Sequence, residues 1–367
     1  MVAASVVLGI AFPSPGVAGP IDQSANVSLV TSFTYDAGTD LAFRGKIVYA
    51  SSEGESGGVH IYDISGKVPQ QVGFVPCGGT QNDVAVVRRG LIALGAFQGS
   101  CTGSGVRLID VKNPGAPKIL DQFNIAEGAH TITAYPGEPI IYASPGGLGE
   151  NGGTEYILDV SDPKDIKLVG EYTPNTFGCH DLSFFFTKEQ KLAFCPGQQE
   201  TEIWDVSDPT SPSLLAEIPP NMEFPHSAVA SPDGDLLLIG DENFFTGHDC
   251  ITEVDPLGAV WVYDISDPST PVPLGYWSSP RGAVPFGHLA TGVCTAHNFN
   301  FIAETRMAVI AWYTGGTSVI DFTNPMLPAE VAYFRPGDAL TWSSYWYRGL
   351  IYANDNTRGL DILKIEL

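Results

Sequence analysis

Four of the seven histidines in this chain stand at one position of a repeating pattern. Aligned on the residue that opens the first strand of each repeat, the column reads Thr39, Asn82, His130, His180, His226, His297 and Thr341. An ordinary strand of this kind opens Asp-Val-Ala-Val, as residues 83–86 do, so the pleat itself has no need of an imidazole. Neutral imidazole binds Zn, Cu, Fe, Ni and Mn, and several imidazoles aimed at one point predict a transition-metal site. The expected ligands are His130, His180, His226 and His297. The competing reading is structural: each ring hydrogen-bonds a loop carbonyl and staples neighbouring repeats together.

More chemistry is expected on the same face. Glu242 and Tyr313 are the candidate catalytic groups, placed to handle a proton beside the metal. Asn82, Asp241, His248, His288, Trp342 and Asp355 are expected to meet the substrate. Asp241-Glu242-Asn243 opens the longest insertion, which carries His248, Asp249 and Glu253. A second insertion over 279–296 carries Arg281, His288 and Cys294. Long insertions on one face are usually functional. Asp241 and Glu242 equally suit a structural calcium or the amides of their own loop. Trp342 reads as core as readily as substrate platform. The chain has no Gly-x-Ser-x-Gly elbow, no phosphate-cradling loop before a helix and no His-Glu-x-x-His, which argues against a nucleotide cofactor.

The elements that must position these residues are repeats. Their tails read Val-Arg-Leu-Ile-Asp-Val-Lys-Asn-Pro at 106–114, Tyr-Ile-Leu-Asp-Val-Ser-Asp-Pro at 156–163 and Glu-Ile-Trp-Asp-Val-Ser-Asp-Pro at 202–209. The pattern returns as Val-Trp-Val-Tyr-Asp-Ile-Ser-Asp-Pro at 260–268 and Thr-Ser-Val-Ile-Asp-Phe-Thr-Asn-Pro at 317–325, with weaker copies at 60–66 and 359–365. The period is roughly 40–50 residues, the range of four-stranded propeller blades. Residues 180–218 show the grammar. A strand opens at His180, a second runs over 192–195, a third over 201–206, and an Asp-Pro turn leads to a fourth over 213–218. The same grammar covers 39–75, 82–124, 130–173, 226–278 and 297–335. A last copy over 341–367 lacks a fourth strand, and residues 27–35 form a strand with no repeat of their own. The expected fold is all-β: a seven-bladed β-propeller over 20–367, its ring closed by the N-terminal strand completing the last blade. The first strands would line the channel and set the histidines at one end.

These Ile-Asp-Val-Ser-Asp-Pro-x-x-Pro copies resemble the LVIVD-repeat propellers, over roughly residues 27–367. The resemblance implies a seven-bladed, exported, mostly bacterial protein and attaches no single reaction to it. The chain does not resemble the WD40 family, despite Trp204-Asp205, because the Gly-His partner dipeptide is missing.

The chain has 367 residues and a net charge of -23. That charge repels phosphate backbones and acidic headgroups, which argues against nucleic-acid and anionic-membrane partners. Many of its carboxylates fall in turns, where solubility and local capping explain them. Residues 1–19 are mostly apolar, end in the small residues Val17-Ala18-Gly19, and resemble a secretory signal segment, though no charged n-region precedes them. No stretch is long enough to span a bilayer. The six cysteines pair by position as Cys77–Cys101, Cys179–Cys195 and Cys250–Cys294, which suits a secreted or cell-surface protein. Two functions follow. One is a monomeric metal-dependent enzyme, oxidative, lyase or hydrolytic, acting on a small or polymeric ligand at the top face. The other is a non-catalytic scaffold that recognises a glycan, peptide or protein.

Overall fold

A computed structural model describes residues 20–99, 103–146, 153–175, 178–197, 200–219, 222–242, 258–281 and 293–367. These residues form strands and turns without a helix. None of their segments is a helix long and apolar enough to cross a membrane. The strands make six sheets. Five have four antiparallel strands each, spanning Gly38–Pro76, Asp83–Phe123, Thr131–Tyr172, Ser183–Ile218 and Pro225–Trp277. The sixth has nine strands. Its order is Ile21–Gln23, Ala329–Pro336, Thr317–Asp321, Met307–Ala311, Asn298–Phe301, Thr341–Tyr347, Leu350–Asp355, Gly359–Ile365 and Val27–Phe33.

The repeat's aspartate explains where each sheet turns. Asp63, Asp110, Asp159, Asp205, Asp264 and Asp321 all accept a hydrogen bond from the backbone N–H two residues on, at 2.7–2.9 Å. A carboxylate that satisfies its own turn ends the third strand and starts the path to the fourth. The second aspartate repeats the device, as Asp162, Asp208 and Asp267 do with Lys164, Thr210 and Ser269. Much of the chain's negative charge is therefore turn chemistry.

Alternation along the strands sends apolar side chains to both faces of each sheet, and the sheets pack face to face. Ile61 and Val59 meet Ile92 and Leu94; Leu108 and Ala93 meet Ile132 and Ile141. The same contact continues from sheet to sheet, through Tyr142 with Ala193, Phe194 with Ala228, Leu238 with Phe299, and Val309 with Ile351. Tyr352 and Ile362, near the C-terminus, then pack on Val48 and Tyr62 of the first sheet. Each fully buried Val, Leu, Ile or Phe among them contributes roughly 1.5–3 kcal/mol. This is the architecture of a β-propeller.

The N-terminal strand Val27–Phe33 pairs antiparallel with Gly359–Ile365, from Val27↔Ile365 to Phe33↔Leu360. One pairing has no counterpart in the sequence pattern. Ile21–Gln23 adds to the edge of Ala329–Pro336, so the nine-stranded sheet carries an extra strand there. The two halves of that sheet join through a short parallel contact, Asn298↔Ser343 and Phe299↔Ser344.

Candidate metal centre

The four histidines do come together. His130, His180 and His297 are each held at the start of a first strand by a backbone N–H that reaches a carbonyl at the end of the neighbouring strand. The acceptors are Ser144, Pro196 and Ala311, each the last residue of that strand, at 2.8, 2.7 and 3.0 Å. His226 sits at a bulge in the strand Pro225–Ala230, where pairing slips between Pro225 and Ser227. Neighbouring imidazole centroids are 4.1 Å apart for His130–His180, 4.2 Å for His180–His226 and 4.0 Å for His226–His297. All four rings are buried.

Glu242 joins the row. Its strand ends at Asp241, and its own N–H donates to the Phe224 carbonyl at 2.9 Å, which returns the side chain toward His226. Glu242 Oε2 lies 3.5 Å from His226 Nε2, and Oε1 lies 3.6 Å from His297 Nε2. The Tyr313 hydroxyl donates to Glu242 Oε1 at 2.5 Å. Tyr313 holds φ 47°, a left-handed backbone that is costly for a bulky side chain and is retained where surrounding structure demands it.

Burial sets the electrostatics. It lowers His130 to about 4 and His297 to about 3, the latter against an opposing pull from the Trp342 carbonyl. It drives His180 and His226 well below the ordinary imidazole value, with the neighbouring rings adding to the effect. Four imidazoles this close cannot all hold a proton, so they are neutral. Burial also pushes the Glu242 carboxyl up to about 8; the Tyr313 hydrogen bond opposes this and the Asp241 charge adds to it.

Neutral rings offer lone pairs. The ligand atoms of His130, His180 and His226 all lie within 4.8 Å of one another, and those of His226, Glu242 and His297 form a second such set. His297 Nδ1 faces the Trp342 carbonyl at 2.5 Å, which fixes its tautomer and frees Nε2. The Nδ1 atoms of His130, His180 and His226 have no hydrogen-bond partner among the described residues. The donor set, nitrogen-rich with one carboxylate, fits a transition metal better than calcium. A void of about 20 Å³ lies against all four rings, together with Asn82 and Trp342. That is room for about one water-sized species.

The other expected residues divide. Asn82 and Trp342 line that void, and the Trp342 ring packs 4.6 Å from His297. Asp241 does not face the cluster: its carboxylate accepts the N–H groups of Glu223, Phe224 and Gly258. Asp355 likewise accepts from Leu340 N–H, the Thr341 hydroxyl and Thr357 N–H. Both carboxylates are therefore occupied in shaping loops. His248, His288, Cys101 and Cys250 lie outside the described residues. Cys179 and Cys195 are joined as a disulfide directly before His180. Cys77 and Cys294 are also disulfide-bonded. Asp40, Asp83, Asp181 and Asn298 also line the void, and sequence reasoning did not single them out. Three of them directly follow Thr39, Asn82 and His180 of the aligned column and the fourth follows His297, a signal readable as a second polar column.

No family model matches the chain, and no curated protein does. Among solved structures, the fold is similar to the crystal structure of a functionally unknown protein from Desulfotomaculum acetoxidans DSM 771. The TM-score is 0.61 at 14% identity, covering 81% of this chain and 84% of that one. A likeness at that identity speaks for the fold alone.

Proposed function

We propose that this chain is an exported, seven-bladed propeller of the LVIVD-repeat type, a single domain over residues 20–367, whose channel holds a transition-metal ion at its upper end. The observation that carries the reading is the convergence of His130, His180, His226 and His297 as neutral, buried imidazoles with Glu242 beside them. The blade count follows from reading the nine-stranded sheet as two blades, divided at its short parallel contact. The Cys179–Cys195 disulfide supports an oxidising compartment.

The metal would supply a Lewis acid or redox centre for a substrate reaching the top face. The chain's own residues then have distinct tasks. His297 is fixed by the Trp342 carbonyl and presents Nε2. Tyr313 holds Glu242 by its hydroxyl, so that Oε2 remains turned toward His226 and able to take or return a proton there. Asn82 and Trp342 border the space a small substrate group would occupy. We assign the protein to metal-dependent catalysis on this basis, with the reaction class to be found by screening.

Elemental analysis of the purified chain without a polyhistidine tag tests the reading. About one transition metal per chain is expected, lost in a His180→Ala/His226→Ala double variant that keeps its all-β spectrum. Absence of metal from the wild type after reloading would overturn it and favour a binding scaffold.

A further inference from the structure

Directly below the histidines, three carboxylates enter the channel from three sheets. Asp40, Asp83 and Asp181 line both the small void under the imidazoles and a second cavity of about 310 Å³ that continues along the first strands. Asp83 is buried, and Asp40 and Asp181 are half-buried. No Lys or Arg lines either space among the described residues. The protein's own neutralisation is limited to hydrogen bonds. Asp83 accepts the N–H groups of Val84 and Ile132, both at 2.6 Å. Asp40 accepts Leu41 N–H and the Tyr345 hydroxyl, both at 2.8 Å, and shares a hydrogen bond with Asp83, so that pair holds one proton between its two carboxyl groups. The Asp181 carboxylate meets no donor among the described residues.

A second observation points to what is missing. Asn298 is only 3% exposed and reaches the Asp40 carboxylate with its side chain. Asn298 lines the same void, and its Oδ1 has no donor among the described residues. Asn82 Oδ1, in a residue 1% exposed, is in the same position. The site therefore presents acceptors from five residues and few donors to match them. Burial and mutual repulsion push Asp83 well above the ordinary carboxylate range, as expected where negative charge has no countercharge.

The rest of the wall mixes apolar side chains with hydroxyls already committed to backbone carbonyls, those of Thr133, Ser183 and Ser227. Phe184 and Phe299 line the larger cavity with Leu182, Val229 and Tyr345. Aromatic faces attract cations and cover hydrocarbon. A bare metal ion fits poorly. Among the described residues the only groups of ligand atoms lying within 4.8 Å of one another contain histidines, so the three aspartates do not close on one point. A cation whose N–H donors are spread over several ångströms can reach all three.

We propose that the lower channel binds a small organic cation, an alkylammonium or guanidinium group among Asp40, Asp83 and Asp181 with its apolar tail along Phe184 and Phe299. Its three carboxylates are not among the residues assigned above to the metal, and although both sites border the small void, a test on the metal-free chain lets either reading fail without the other.

Calorimetric titration of agmatine and n-butylamine into the chelator-treated full chain tests it. Both amines should bind saturably, and Asp181→Asn should weaken binding about tenfold or more, the loss of one charged hydrogen bond. Asp181 holds no backbone amide, so this variant keeps the fold where Asp83→Asn endangers it. Absence of saturable heat at millimolar amine, or unchanged affinity in Asp181→Asn, overturns the proposal. Binding of calcium chloride in place of the amines overturns it as well.

Discussion

The Nε2 atoms of His130 and His180 lie 2.8 Å apart, buried, and neither Nδ1 atom has a hydrogen-bond partner among the described residues. Two neutral imidazoles facing each other this way share one hydrogen, so one ring keeps Nε2–H and a bare, buried Nδ1. A metal removes that mismatch by accepting both lone pairs. His180→Ala should therefore lower metal affinity by more than the roughly 10–100-fold that follows loss of a supporting hydrogen bond. Competition with a chromogenic chelator measures this. An unchanged affinity would place the metal with His226, Glu242 and His297 alone.

Glu155 gives the fold a pH dependence away from the metal. It is fully buried, accepts the Ser144 hydroxyl at 2.6 Å, and burial raises it to about 8. A folded value above the unfolded one means a contribution that is complete below the unfolded carboxylate value of about 4.3 and lost as pH rises through about 8. Glu155→Gln removes the charge and keeps an acceptor for Ser144. The variant should gain on the wild type by on the order of 1–3 kcal/mol between pH 5 and pH 9. Melting temperatures across that range check it, and a constant difference between the two proteins would refute it.

Local chemistry is what the sequence displays well. The turn aspartates are legible because each, like Asp205 with Ser207 N–H, makes its bond two residues away. The histidine column is legible because those residues open equivalent strands. Asp241 and Asp355 mislead because their partners, Phe224 and Leu340, sit 17 and 15 residues off, and nothing in a local pattern marks those loop closures. The aspartate column is readable in the sequence, but its place beside the channel is not. Strict alternation would turn Asp40 away from the channel if Thr39 faced it. Pairing slips between Gly38 and Leu41, and Asp40 lines the channel cavities. Similar slips at Pro225/Ser227 and Thr341/Ser343 irregularise the starts of two other first strands.

The Cys179–Cys195 disulfide should matter to the metal as well as to the fold. It closes a sequence separation of 16 and directly precedes His180. The chain-entropy model gives such a loop about 3 kcal/mol. Cys179→Ser/Cys195→Ser should therefore melt earlier than the wild type and bind metal more weakly, because the residue before a ligand is no longer anchored. Denaturant titration and chelator competition read the two effects. A variant with lower stability and wild-type affinity would confine the bridge to a structural role.

The pairing of Val27–Phe33 with Gly359–Ile365 joins the two ends of the described chain, with Val27 buried against Ile365 and Leu363. Without that strand, Gly359–Ile365 would become an edge carrying unpaired N–H and C=O groups beside Leu360 and Ile362. Such an edge is a template for pairing with a second chain. A variant lacking residues 20–35 should lose thermal stability and elute as larger species in size-exclusion chromatography, with loss growing at higher protein concentration. Adding residues 20–35 back as a separate peptide should partly restore the wild-type elution, since the strand acts through its backbone register. A monomeric truncation with the wild-type melting temperature would mean that contacts such as Tyr352 and Ile362 with Val48 and Tyr62 suffice to hold the last sheet against the first.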